Sequence, residues 1–183
     1  MSKIKLHLGC GVRNFGSDWI HIDGGDFPHL DYHNITDLNQ FENESVDLIY
    51  CCHCFEYFNR DEAVIVLKEW RRVLKFGGIL RLAVPDFESL VKLYYDTKEI
   101  PLEGLIGPLF GKWDMNGETI YHRTTYDFNS LSNLLINCGF SDVKRYDWRE
   151  TEHAMFDDHS QAYIPHMQKE TGTLISLNIE ATK

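Results

Sequence analysis

The sequence predicts an α/β fold, a mostly parallel sheet with helices on both faces and an antiparallel pair of strands at its C-terminal end. Three observations predict it. An apolar strand at residues 6–8 runs straight into Gly9-Cys10-Gly11; two continuous apolar runs, 46–52 and 79–84, flank a helical period; and residues 142–148 and 174–181 alternate apolar with polar. Continuous runs suit strands buried on both faces of a parallel sheet, and alternation suits antiparallel strands. Strands taking turns with helices imply right-handed crossovers.

The first strand ends in two glycines, which let the backbone turn beside a ligand without Cβ clashes. The second, 19–22, is closed by Asp23, and the 12 residues from Gly11 to Asp23 leave little room for a full first helix. Residues 61–75 repeat Val64, Leu67, Trp70, Val73 and Leu74 at helical spacing, and Gly77-Gly78 provides a glycine stop before the 79–84 strand, which Pro85 ends. Residues 87–97 continue as a helix. The segment 98–123 holds Pro101, Gly104, Gly107, Pro108, Gly111 and Gly117 without a clear period, and is expected to be an irregular lid or substrate loop. A helix over 127–138 stops at Gly139, and 149–172 is a second irregular segment. The 183 residues, 43% hydrophobic and 25% charged, fit one domain over 1–183, with 98–123 and 149–172 as lid or acceptor segments.

Charge and cysteines exclude several functions. Acidic residues outnumber Lys plus Arg by 28 to 18, a net charge of −10 that repels a phosphate backbone, so no nucleic-acid partner is expected. No stretch approaches the roughly 18 apolar residues of a membrane helix, and residues 1–5 enter a strand without a signal-like segment. The expectation is a soluble, cytoplasmic monomer or homodimer. Five cysteines, Cys10, Cys51, Cys52, Cys54 and Cys138, are an odd number and read as free thiols. Cys51 and Cys54 form a C-x-x-C, yet no second ligand pair exists and strand geometry turns Cys51 and Cys54 to opposite sides, so no metal is expected there. His153, Asp157, Asp158, His159 and His166 have ligand chemistry but no regular spacing, and read as hydrogen-bonding or acceptor contacts.

Ligands of such sheets sit beyond the carboxyl ends of the strands. That rule brings Gly9 to Gly11, Asp23, Cys51 to His53, Pro85 and Asp86 to one cleft. An acid after the second strand can accept both hydroxyls of an adenosyl ribose, so the cleft reads as a nucleoside-cofactor site. A dinucleotide fingerprint would need a third glycine where Asn14 stands, and an acid roughly 20 residues on, which disfavours a nicotinamide-dependent oxidoreductase.

These residues resemble the class I S-adenosylmethionine-dependent methyltransferases, compact small-molecule type, over residues 4 to about 140. The likeness rests on Leu6-His-Leu-Gly-Cys-Gly11, on Asp23, on Asp37-Leu38, on Val46-Asp-Leu-Ile-Tyr-Cys-Cys-His-Cys-Phe-Glu56, and on Glu69-Trp-Arg-Arg-Val-Leu-Lys-Phe-Gly-Gly78. It implies a Rossmann-like sheet and S-adenosyl-L-methionine as cofactor. Gly9 and Gly11 would pack against the methionyl part, with Leu8 and Cys10 also in the cofactor site, and Asp23 would hold the ribose. Asp37 would accept from the adenine amine, Leu38 would lie against the ring, and Cys52 and His53 would edge the methionyl end. The pattern departs at His7, where many relatives have an acid, and at Tyr57, where a histidine often stands.

The implied reaction is methyl transfer to an oxygen or nitrogen of a small-molecule acceptor, with a sugar or glycan precursor suggested by likeness to compact glycan methyltransferases. A hydroxyl acceptor is helped by a base, and His53, Asp86, His122 and His159 are the candidates. Three have a structural reading beside this one: His53 as lining of the cofactor site, Asp86 as cap of the helix that follows, and His122 as hinge of the lid. Trp113, Tyr121, Tyr126 and Trp148 are candidates to stack on the acceptor. A non-catalytic, methyltransferase-like partner subunit is the rival reading, against which the retained Asp23 and Asp37 argue.

Overall fold

The structure, a computed structural model, describes residues 3–98, 100–166 and 168–183. Its six-stranded sheet contains β1 (Lys5–Leu8), β2 (Ile20–Ile22), β3 (Val46–Cys52), β4 (Leu74–Pro85), and two later strands, β7 (Ser141–Arg145) and β10 (Ser176–Thr182). The spatial order is β2-β1-β3-β4-β10-β7. β1 pairs in parallel with both β2 and β3, so chain direction across the sheet reverses at β1, the kind of switch point where such sheets bind ligands. β3 and β4 are parallel, whereas β10 runs antiparallel to β4 and β7, as the C-terminal alternation predicts.

Helix α1 (Arg60–Val73) joins β3 to β4. Asn59 caps it, accepting from the Asp61 and Glu62 amides while Glu62 bonds back to the Asn59 amide. Its Ala63, Val66, Leu67 and Trp70 are buried on Leu6, Leu8, Ile49, Cys51, Leu80 and Leu82 of the sheet. Helix α4 (Phe128–Asn137) adds Leu131 and Leu135 to that same face. The predicted helical stop at 75–78 is instead a bulge within β4: pairing jumps from Val46–Leu74 to Leu48–Ile79, with Gly77 left-handed at φ +75°.

The opposite face departs from expectation. No helix forms between β1 and β2, nor in residues 23–45. The second face is closed by loop residues Phe15 and Trp19 and by the 146–161 segment: Phe15 stacks on His7, His153 and Phe156 stack on Phe15, and His153 also meets the Tyr50 ring. His7, where many relatives have an acid, lies 1% exposed under this aromatic layer. Strands this short between β1 and β2 leave too few residues for a crossover helix, and large rings cover the area instead.

The lid segment also departs from expectation. α2 (Phe87–Lys92) runs on through a π turn, Leu93–Thr97, and α3 (Leu102–Phe110) follows. Pro101 sits at the α3 N-cap, where a missing N–H costs nothing, and Gly111, left-handed at φ +53°, ends the helix. A hairpin of β5 (Trp113–Met115) and β6 (Glu118–Ile120) completes the 98–123 segment. Among the described residues of 149–172, β8 (Tyr163–Ile164) pairs with β9 (Thr173–Leu174) just beyond the segment, and His159–Gln161 forms a 3₁₀ turn. Trp148, expected in a strand, begins another such turn. Among the described residues, no helix is long and apolar enough to cross a membrane.

Candidate active site

Beyond the carboxyl ends of β1, β2, β3 and β4 lies a cavity of about 1260 Å³. Gly9 and Gly11 turn with φ +64° and +55°, a conformation that L side chains rarely adopt. A Cβ at Gly9 would overlap Cys54 Sγ, whereas one at Gly11 meets nothing within 4 Å and would enter the cavity. The buried Asp23 carboxylate accepts the Gly11 amide at 2.8 Å through Oδ2 and the Gly25 amide at 2.8 Å through Oδ1. Each oxygen keeps lone-pair capacity toward the cavity that Asp23 lines.

The next wall comes from a loop held by α1. Trp70 Nε1 donates to the Ile35 carbonyl (2.7 Å), Glu69 accepts the Leu38 amide (2.9 Å), and the Arg72 guanidinium donates to the carbonyls of Leu38 and Phe41, each at 3.1 Å. These clamps turn Ile35 and Thr36 to the cavity and bury Leu38 in the core, so the expected place of Leu38 against a ligand ring is corrected. Asp37 is likewise outside the lining, accepting from Asn39 instead. Leu8 is fully buried within the sheet, while Cys10 lines the cavity, burial and Asp23 pushing its thiol up to about 12.

The far wall gathers Cys52, His53, Tyr57, His122 and His159 with the lid residues Trp113, Met115, Ile120 and Tyr121. His53 holds φ +48°, in the left-handed region that non-glycine residues seldom adopt. Burial lowers the pKa of His53 well below its ordinary value and lowers those of His122 and His159, so all three are neutral bases at pH 7. Asp86, the fourth candidate base, is not in the lining: it caps α2, accepting from the Glu88 amide and Ser89 hydroxyl, and meets Arg145 at 3.2 Å. Tyr126 is stacked on Phe55 in the core and Trp148 packs by Arg149, which leaves Trp113 and Tyr121 of the expected stacking residues. Of the 153–166 cluster only His159 reaches the cavity; among the described residues no three His, Cys, Asp or Glu side chains are grouped to hold a metal ion.

The residue that sequence reasoning missed is Glu56. It is 1% exposed, its carboxyl makes no hydrogen bond, and its Oε1 faces His53 Nδ1 at 3.7 Å and His122 Nε2 at 3.6 Å. Burial raises its pKa to about 8. The carbonyl of the same residue accepts from the Arg123 and Thr124 amides, which fastens the end of the 98–123 segment over it.

A family model described as a methyltransferase domain matches residues 21–82. An uncharacterized methyltransferase of Schizosaccharomyces pombe is 31% identical over 131 residues, 64% of this chain and 50% of that protein. Over those stretches the chain is similar to methyltransferases. A demethylmenaquinone methyltransferase of Staphylococcus haemolyticus is 28% identical over 137 residues, 68% of this chain and 49% of that protein. The chain thus spans about half the length of these two relatives. In fold, this chain is similar to a SAM-dependent methyltransferase from Archaeoglobus fulgidus, at a TM-score of 0.60 and 15% identity over 99% of this chain and 86% of that one.

Proposed function

We propose that this chain transfers a methyl group from S-adenosylmethionine to an oxygen or nitrogen of a small molecule. The observation that carries the reading is the glycine turn bonded to Asp23 at the mouth of the cavity. A bare turn that a Cβ would fill, beside a buried carboxylate with free lone pairs, fits a cofactor with a chain to pass and a ribose to hold. Gly9, Cys10 and Gly11 hold the methionyl part, Asp23 accepts the ribose hydroxyls, and Cys52 and His53 edge the methionyl end. Ile35 and Thr36 take the place beside the adenine that Asp37 and Leu38 do not reach.

When bound, S-adenosylmethionine supplies a methyl group activated by a sulfonium leaving group. The chain's part is to hold the acceptor in line, keep water out and remove a proton. His53, His122 and His159, un-ionised and lining one cavity, are the groups that can take it. Trp113, Met115, Ile120 and Tyr121 give the acceptor an apolar, aromatic bed. That lining supports a flat, apolar-bodied acceptor carrying one hydroxyl or ring nitrogen over a sugar, whose many hydroxyls would lose water for few polar partners. Calorimetric titration with S-adenosylmethionine and S-adenosylhomocysteine tests the reading: both bind, or the folded chain is a non-catalytic partner subunit.

A further inference from the structure

We propose that Glu56, His53 and His122 form a buried cluster that holds one shared proton, and that Glu56 is the positioning residue which sets how the two imidazoles face the methyl acceptor. The hydrogen-bond network fixes this. Asn178 Nδ2 donates to the Ser160 carbonyl (2.9 Å), which leaves Asn178 Oδ1 to accept from the Ser176 hydroxyl (3.0 Å). The Ser176 oxygen therefore accepts from His53 Nε2–H (3.0 Å), and a neutral His53 has a bare Nδ1. His122 Nδ1 lies 3.1 Å from the Pro108 carbonyl, which can only accept, so a neutral His122 has a bare Nε2. Its ring is locked there, because it packs on Gly111, where any Cβ would overlap it.

Both bare nitrogens face one oxygen, Glu56 Oε1. Three acceptors turned toward each other in a buried site repel unless a proton lies among them. No Lys or Arg lies within ion-pair distance of Glu56 among the described residues, and the other titratable groups that feel its charge, Tyr57, Tyr126, Cys51 and Cys52, are un-ionised at pH 7. His159, its ring 5.2 Å from that of His53, is neutral too. The arrangement of least charge is an un-ionised Glu56 donating to one imidazole while the other keeps a bare nitrogen.

This deepens the methyl-transfer reading and rests on it: the site offers one hydrogen-bond acceptor, so it selects an acceptor molecule that arrives with its O–H or N–H intact. The acceptor's proton passes to the bare imidazole nitrogen as its lone pair bonds the methyl carbon. The carbon–sulfur pair stays on sulfur, and the positive charge passes from sulfur to the cluster. The site's net charge does not change.

The test uses the full chain without cofactor. Nitrogen-15 NMR of labelled histidines should show, at pH 7, His53 protonated only at Nε2 and His122 only at Nδ1, the less common form of a free imidazole. The infrared difference spectrum between wild type and Glu56→Gln should contain the band of an un-ionised carboxyl at pH 7, lost as pH rises past 8. In that variant the bare-nitrogen signals should shift and lose this pH dependence. A Glu56 ionised at pH 7, a proton on His122 Nε2, or imidazole signals indifferent to the substitution would overturn the proposal; if Glu56→Gln does not fold, the wild-type spectrum decides alone. Failure to bind S-adenosylmethionine would remove the methyl-transfer reading and leave these signals in place, so the two failures are distinguishable.

Discussion

Replacing Gly11 by Ala separates ligand space from backbone strain. Gly11 and Gly16 are both left-handed, at φ +55° and +83°, and neither has an atom within 4 Å of an added Cβ. Only Gly11 lines the cavity. A Cβ in this conformation costs roughly 1–2 kcal/mol, offset by the roughly 0.4–1 kcal/mol gained from a stiffer unfolded chain, so each Ala variant should lose about 1 kcal/mol of stability. The Gly11 methyl also occupies space next to Asp23, so cofactor affinity should fall on the order of 30-fold, about 2 kcal/mol, in Gly11→Ala and hardly change in Gly16→Ala. Urea unfolding and calorimetry read the two quantities on the same samples. If Gly11→Ala bound S-adenosylhomocysteine like wild type, the glycine turn would not approach the ligand and the placement of the site would be wrong.

Asp23→Ala should weaken S-adenosylmethionine binding by about 2 kcal/mol or more, because it removes charge-assisted hydrogen bonds to the ribose and frees the Gly11 and Gly25 amides that shape the turn; titration calorimetry measures it. His153 is wholly buried and its two ring nitrogens have no partner, so burial lowers its pKa from 6.5 to about 4. A base held neutral in the folded state contributes stability that is complete above pH 6.5 and lost as pH falls toward 4, about 3 kcal/mol in all; urea midpoints at pH 7 and 4.5 should differ accordingly, and less in His153→Phe. Trp70→Phe removes the bond to the Ile35 carbonyl and should cost roughly 1 kcal/mol of stability and loosen cofactor binding together, by the same two assays.

The strands and the glycine turn were legible because short, largely apolar strands run straight into Gly or Asp, as at Leu6 to Gly11 and Ile20 to Asp23. Helix α3 was hidden by its own punctuation: Pro101 and Gly111 mark its two ends, and Pro108, which has no N–H to donate, lies in its last turn. Loop 35–38 could not be read locally, since its direction is set by Glu69, Trp70 and Arg72 more than thirty residues along the chain. Glu56 was hidden for the same reason. In sequence it is one acid in a turn, and it is buried only because His122 to Thr124 return over it from the lid.

The central claim is that the cleft at the end of β1 and β2 holds S-adenosylmethionine. Titration calorimetry on the wild-type chain tests it most directly. The account predicts saturable, one-to-one heat with S-adenosylmethionine and S-adenosylhomocysteine and none with a nicotinamide dinucleotide. A folded chain giving no heat with either adenosyl ligand would contradict it.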